Sequence, residues 1–239
     1  MIINLYNSAR EVDKEILKDK TVLFIDTFQS SPLFITALFY GTKAIIPSPD
    51  VEMAIKVFKS YSPKDAILIG ERDYEKIEGF HYEGNLLSLN KEVCEGKMII
   101  YHQPYVCETL FLTEGAKEVY IASFLNRTKA VERLKDQEDI RIICVGLEGK
   151  RLALENFLLA GSILYQLSYK GLVMNDAANS ALACFQNLRR RLKTTLTTTE
   201  RAISLINKER KGEVEKSLLT DTTPILPVFS EGRIVLSEG

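Results

Sequence analysis

The chain has 239 residues, 46% of them apolar, with 31 Lys and Arg against 32 Asp and Glu for a net charge of −1. That is enough apolar material for one large domain spanning 1–239. The balanced charge excludes a global field that would recruit nucleic acid or a membrane surface, so any anion site must be local. Cys94, Cys107, Cys144 and Cys184 are widely spaced with no Cys-x-x-Cys pair, which disfavours a zinc or redox motif and suits reduced thiols. Met1-Ile2-Ile3-Asn4-Leu5 lacks the basic start and long apolar core of a signal peptide. No apolar run reaches the ~18 residues of a membrane span. The expectation is a soluble, cytoplasmic protein with no membrane or nucleic-acid partner.

Taken in order, Val22-Leu23-Phe24-Ile25 reads as a buried strand ending at Asp26. A helix is expected from near Pro32, capped by Ser30 or Ser31, its free N–H groups making an anion-binding corner beside Asp26. It continues through Leu33 to Tyr40 and stops at Gly41. Lys43 to Ile46 is the next strand, and Ser48-Pro49-Asp50 starts a helix with apolar residues at Ala54, Ile55, Val57 and Phe58. A third strand, Ala66 to Ile69, feeds the segment Gly70 to Asn85, where acids and bases crowd between glycines without helical or strand period. It reads as a charged loop, and loops after buried strands are where α/β proteins build sites. Met98 to Tyr101 is a strand followed by a loop from His102 to Val106. Val119 to Ala122 leads into Ser123-Phe124-Leu125-Asn126 and a helix through Ala130, Val131 and Leu134. Arg141 to Val145 is a strand, and a long apolar helix runs from about Leu152 to Leu167 with Glu155 in its first turn.

The last third, from about residue 170, changes to helices. One is expected over Asp176–Lys193, and another starts from the capping-box pattern Thr197-Thr198-Thr199-Glu200. Arg189-Arg190-Arg191 lies at a helix C-terminus, where cations need no partner. Ile225 to Phe229 and Arg233 to Leu236 form a hairpin turning at Glu231-Gly232. The expected fold is therefore α/β, a mostly parallel or mixed sheet with helices on both faces, a helical C-terminal part and a terminal hairpin.

Asp26, Glu71, Glu78 and Glu155 all fall in or near strand-to-helix connections and could converge on one sheet edge. Oxygen ligands in a chain with two histidines favour Mg²⁺ over zinc. Arg72 and Lys76 offer donors to an anion. Haloacid-dehalogenase-type phosphatases also carry an Asp after a strand, but they need a second one two residues later, where this chain has Phe28.

The pattern resembles the 2-phosphosulfolactate phosphatases (ComB-like enzymes). The resemblance rests on Asp26, Gly70-Glu71-Arg72 with Lys76-Ile77-Glu78-Gly79-Phe80, Ser123 to Asn126, Cys144-Val145-Gly146, Leu154-Glu155 and Ala160-Gly161. It runs in order over about residues 20 to 165 and more loosely to Pro227-Val228-Phe229 and Gly232. It implies an α/β fold and Mg²⁺-dependent hydrolysis of 2-phospho-3-sulfolactate to sulfolactate and phosphate, a step toward coenzyme M. On this reading Asp26, Glu71 and Glu155 are the catalytic candidates, and Asp26, Glu71 and Glu78 the metal ligands. Arg72, Lys76, Ser123 and Asn126 hold a small anionic substrate. A homo-oligomer is compatible with the sequence. Gln29 stands where the family pattern has Arg, Pro32 replaces a hydroxyl, His102 to Val106 replaces a glycine- and hydroxyl-bearing loop, and Asn156 replaces an acid. These departures predict a narrower, less positive phosphate pocket. They keep a second reading open, a homologue that binds an anionic ligand or partner without chemistry.

Overall fold

The protein is described by a computed structural model covering residues 1–167 and 171–237. The first half runs β1 (Ile2–Tyr6), α1 (Lys14–Leu17), β2 (Thr21–Ile25), α2 (Ser30–Phe39), β3 (Ala44–Pro47), α3 (Val51–Phe58), β4 (Ala66–Arg72) and β5 (Glu75–Lys76). It continues with α4 (Lys91–Cys94), β6 (Met98–His102), α5 (Pro104–Leu112), β7 (Glu118–Ala122), α6 (Arg127–Leu134), β8 (Asp139–Cys144) and α7 (Leu154–Leu167). The last part holds β9 (Val173–Met174), α8 (Asp176–Leu188), α9 (Leu192–Leu196), α10 (Glu200–Asn207), α11 (Lys211–Ser217), β10 (Pro227–Ser230) and β11 (Arg233–Leu236). The fold is α/β, with a mixed sheet in the order β5-β4-β6-β3-β11-β10-β7-β2-β8-β1-β9.

Four local expectations change. The N-terminal Ile2–Tyr6 is a strand, paired in parallel with β8 and β9. The charged segment after Ile69 is partly a hairpin: β4 extends to Arg72 and pairs antiparallel with β5, Glu71 opposite Lys76. Its two-residue turn puts Asp73 and Tyr74 at positive φ, as a tight hairpin turn demands. His102 to Val106 is no loop. Gln103 caps α5 by accepting from the Val106 N–H, and Pro104 takes the first helical turn, where its missing N–H costs nothing. The helix expected over Asp176–Lys193 is interrupted by a 3₁₀ turn at Arg189–Arg191 before α9.

The sheet contains two parallel blocks, β4-β6-β3 and β7-β2-β8-β1-β9, joined by the β10–β11 hairpin. The hairpin is antiparallel to both neighbours, β11 to β3 and β10 to β7. Following the pairings across it, the two blocks run in opposite senses, so a flat sheet would send Asp26 and Glu71 to opposite edges. Twist reverses that outcome. Six strand-to-strand steps separate β4, which carries Glu71, from β2; at about 20–25° each they turn one strand against the other by roughly 120–150°.

The sheet wraps α2. Every residue from Ser30 to Leu38 is buried, as befits a helix apolar around its whole circumference. Leu33, Phe34, Ala37 and Leu38 join one core with Phe24 of β2, Ile45 of β3, Ile69 of β4, Tyr101 of β6 and Ile121 of β7. Phe34 meets Tyr101 edge to face at 4.8 Å between ring centres. The opposite faces of β1, β2, β7 and β8 pack under α6, α7 and α8. There Gly161 of α7 lets α8 approach so closely that a Cβ would lie 2.2 Å from the Ala181 carbonyl oxygen.

Candidate active site

Asp26 follows β2 and is fully buried. Its Oδ2 accepts from the Ser30 N–H at 3.0 Å and the Ser30 hydroxyl at 2.7 Å, while its own N–H donates to Ser31 Oγ. The first N–H of α2 is thus taken by Asp26 itself, and the open anion corner expected there is filled. The Thr27 N–H donates to Asn156 Oδ1 at 2.8 Å, which ties α7 to this turn. Asp26 Oδ1 has no hydrogen-bond partner.

That oxygen faces Arg201, from the first turn of α10. Arg201 Nη1 lies 3.8 Å from Asp26 Oδ1, and Nε lies 3.6 Å from Glu155 Oε1, another buried oxygen without a hydrogen bond. Arg201 Nη2 donates to the Gly146 carbonyl at 3.1 Å. Gly146 has a φ of +80°, and a Cβ there would sit 2.6 Å from the Arg151 carbonyl oxygen, so only glycine fits. Arg201 Nη1 also donates to Gln29 Oε1.

Gln29 Nε2 donates in turn to Glu71 Oε1. The second Glu71 oxygen accepts from Arg210 Nη1 at 2.7 Å, and Arg210 Nε donates to Glu213 Oε2 at 2.6 Å. The structure therefore gathers Asp26, Glu71 and Glu155 in one cluster, linked through Gln29, Arg201 and Arg210. All of these side chains and Glu213 are buried.

Four carboxylates share this cluster with two guanidiniums, so full ionisation leaves two negative charges unbalanced in a poorly solvated place. Two of the acids, Glu155 and Glu213, respond. Burial pushes the Glu155 carboxyl up, partly offset by Arg201. Burial pushes Glu213 up to about 7, opposed by Arg210 and reinforced by the Glu71 charge. A divalent cation would discharge the same excess. Among the described residues no three His, Cys, Asp or Glu side chains are gathered into a metal site. Mg²⁺ needs less, commonly one or two carboxylates together with water and substrate phosphate. The unpartnered oxygens of Asp26 and Glu155 meet that requirement.

A cleft of about 380 Å³ adjoins the cluster, lined by Gln29, Glu71, Arg72, Asp73, Tyr74, Gln103, Pro104, Tyr105, Glu148 and Arg201. Arg72 is exposed at its mouth. Lys76 and Glu78 are exposed on and after β5 and do not line the cleft, although Lys76 pairs opposite Glu71 in the hairpin. Ser123 and Asn126 are buried in a capping box: Ser123 Oγ accepts from the Leu125 N–H, and Asn126 Oδ1 accepts from the Ser123 N–H. Asn126 also donates to the Ile121 and Ile225 carbonyls, so its amide fastens the chain entering β10. His102 Nδ1 lies 2.8 Å from the Ser48 carbonyl oxygen, joining the ends of β6 and β3.

Sequence reasoning missed Arg201, Arg210 and Glu213. A signal existed in their spacing. Arg201 precedes the buried Leu205 by four residues on α10, and Arg210, just before α11, precedes the buried Val214 by four, so both cations are in line with the apolar face of a short helix. Charges there call for buried partners. Arg201 also brings a guanidinium to Gln29.

Comparison with known proteins agrees with the resemblance. The family described as 2-phosphosulpholactate phosphatase matches residues 6–232. A protein of Thermotoga maritima named probable 2-phosphosulfolactate phosphatase is 31% identical over 92% of this chain and 93% of its own length. One of Clostridium acetobutylicum with the same name is 28% identical over 98% of this chain and 100% of its own. One of Caldanaerobacter subterraneus subsp. tengcongensis, again so named, is 35% identical over 70% of this chain and 69% of its own. Among the described residues no helix is long and apolar enough to cross a membrane. The site-bearing segments from Asp26 to Arg210 all lie inside the matched span, and the chain belongs to the 2-phosphosulpholactate phosphatase family.

Proposed function

We infer that the protein is a Mg²⁺-dependent phosphomonoesterase acting on a small anionic phosphoester such as 2-phospho-3-sulfolactate, releasing sulfolactate and phosphate. The observation that carries this reading is the pair of buried, unpartnered carboxylate oxygens, Asp26 Oδ1 and Glu155 Oε1, facing Arg201, which itself lines a cleft. Asp26 and Glu155 would hold the cation, which when bound neutralises phosphoryl oxygens and lowers the pKa of water.

The chain's own residues do the rest. Ser30 clamps Oδ2 of Asp26, so Oδ1 is the oxygen left to face Arg201. Arg201 supplies fixed positive charge for phosphoryl oxygens, and its low exposure strengthens that attraction over its value in water. Arg72 at the mouth meets the second anionic group of the substrate. Tyr74, Pro104 and Tyr105 form bulky walls that limit the space for water around the ester. Preorganised charge of this kind is worth about 10²–10³ in rate per donor. Phosphate release by the purified protein from 2-phosphosulfolactate, abolished by chelation and restored by Mg²⁺, is the expected result. An equal rate with and without chelator would remove the metal from the proposal. The absence of release from any small phosphomonoester would favour the reading as a binding protein.

A further inference from the structure

We propose that Glu213 and Arg210, outside the cleft lining, are positioning residues that fix the Arg201 guanidinium through Glu71 and Gln29. Each link is a hydrogen bond from a donor to an acceptor, and the types alternate. Arg210 Nε is held by Glu213 Oε2 at 2.6 Å, which turns Nη1 onto Glu71 Oε2 at 2.7 Å and toward the Tyr74 carbonyl at 3.4 Å. Glu71 Oε1 then accepts from Gln29 Nε2, and Gln29 Oε1 accepts from Arg201 Nη1. An amide suits position 29, because it donates to a carboxylate on one side and accepts from a guanidinium on the other. A carboxylate there would repel Glu71, and a guanidinium would repel Arg201.

Both oxygens of Glu71 are engaged in this chain, so its role here is to orient rather than to react. At the far end Arg201 is also fastened to the Gly146 carbonyl at 3.1 Å, and its Nε remains without a hydrogen bond beside Glu155. The relay thus spends Nη1 and Nη2 on the scaffold and keeps Nε directed into the cluster. Glu213 is fully buried on α11, and Arg210 lies just before that helix. Both are remote in sequence from every strand end that builds the cleft. The inference rests on Arg201 being the anion-holding group of the proposed function, but its geometry can be read without activity.

The test uses Glu213→Gln, Arg210→Lys and Gln29→Leu in the full chain. Hydrogen exchange of the Arg201 Nη hydrogens, which donate to Gln29 and Gly146, followed by NMR, reports the fixing directly. It should be slow in the wild type and about tenfold faster in Glu213→Gln and in Arg210→Lys, at melting temperatures close to wild type. Inorganic phosphate, titrated by calorimetry with Mg²⁺ present, should bind about 5–10-fold more weakly to Glu213→Gln, with KM for the phosphoester rising in step. In the Gln29→Leu background, where the relay is already cut, Glu213→Gln should change either readout by less than about twofold. Equal effects of Glu213→Gln in both backgrounds, or unchanged Nη–H exchange in both single variants, would overturn the relay. If Glu213→Gln does not fold, Arg210→Lys carries the same comparison. A wild type that shows the exchange pattern but releases no phosphate would defeat the proposed function and leave the relay standing.

Discussion

Replacing Arg201 by Met removes the one guanidinium that faces both Asp26 and Glu155 while keeping most of the side chain's length and apolar contact. Two carboxylates at 3.8 and 3.6 Å lose their counter-charge, and the Gly146 carbonyl and Gln29 Oε1 lose a donor. Breaking a buried ion pair by deleting one partner costs about 3–5 kcal/mol, chiefly because the other charge stays buried alone. Glu155 already has a carboxyl raised by burial, and the loss of Arg201 removes the opposing influence. The variant's folded state should therefore bind protons that its unfolded state has released, and its stability should fall as pH rises. The deficit against wild type is expected to be larger near pH ~8 than near pH ~5. If Asp26 and Glu155 hold Mg²⁺, the cation should recover part of the loss, about 2.7 kcal/mol at a concentration a hundredfold above its Kd. Urea melts of both proteins at the two pH values, with and without Mg²⁺, measure all of this. A variant as stable as wild type, or one whose deficit ignores both pH and Mg²⁺, would refute the view of Arg201 as counter-charge to these acids.

Three further outcomes are expected. Burial raises the Glu213 carboxyl to about 7 against the pull of Arg210. The folded state holds that proton where the unfolded chain has lost it, so wild-type stability should decline between pH ~4.5 and ~7, with a shallower decline in Glu213→Gln. Gly161→Val should destabilise by more than the ~1–3 kcal/mol of ordinary overpacking, because its Cβ would strike backbone rather than a movable side chain; a denaturation midpoint unchanged from wild type would contradict the close α7–α8 approach. Ile234→Ala, in the strand that joins the two parallel blocks, should cost about 2–5 kcal/mol and broaden the urea transition if the blocks part separately; a loss under ~1 kcal/mol would show that the hairpin is peripheral.

The strands were legible wherever a short apolar run met a turn signal, as at Val22–Ile25, Ala66–Ile69 and Met98–Tyr101. Ile2–Tyr6 was missed because its polar Asn4 breaks the apolar run. The extension of β4 through Glu71 and Arg72 was hidden by charge, although Glu71 is buried. Charge reads as solvent unless the partner is known, and that partner, Arg210, lies 139 residues away. The same limit applies to Arg201, which meets Gln29 across 172 residues. The helix at Pro104 had a readable signal, a residue able to cap followed by proline, that expectation of a phosphate loop obscured. The site's acids could be named from their positions after strands; the cations that hold them could not be paired with them from local pattern.

The most direct measurement is steady-state phosphate release from 2-phosphosulfolactate in the presence of Mg²⁺ by wild type and Asp26→Asn. Asparagine keeps an oxygen for the Ser30 N–H, so the turn after β2 survives while the charge facing Arg201 disappears. Wild type should turn over, and Asp26→Asn should lose at least ~10²-fold in kcat/KM while remaining folded. Equal rates in the two folded proteins would place the chemistry elsewhere than at the Asp26–Arg201–Glu155 cluster.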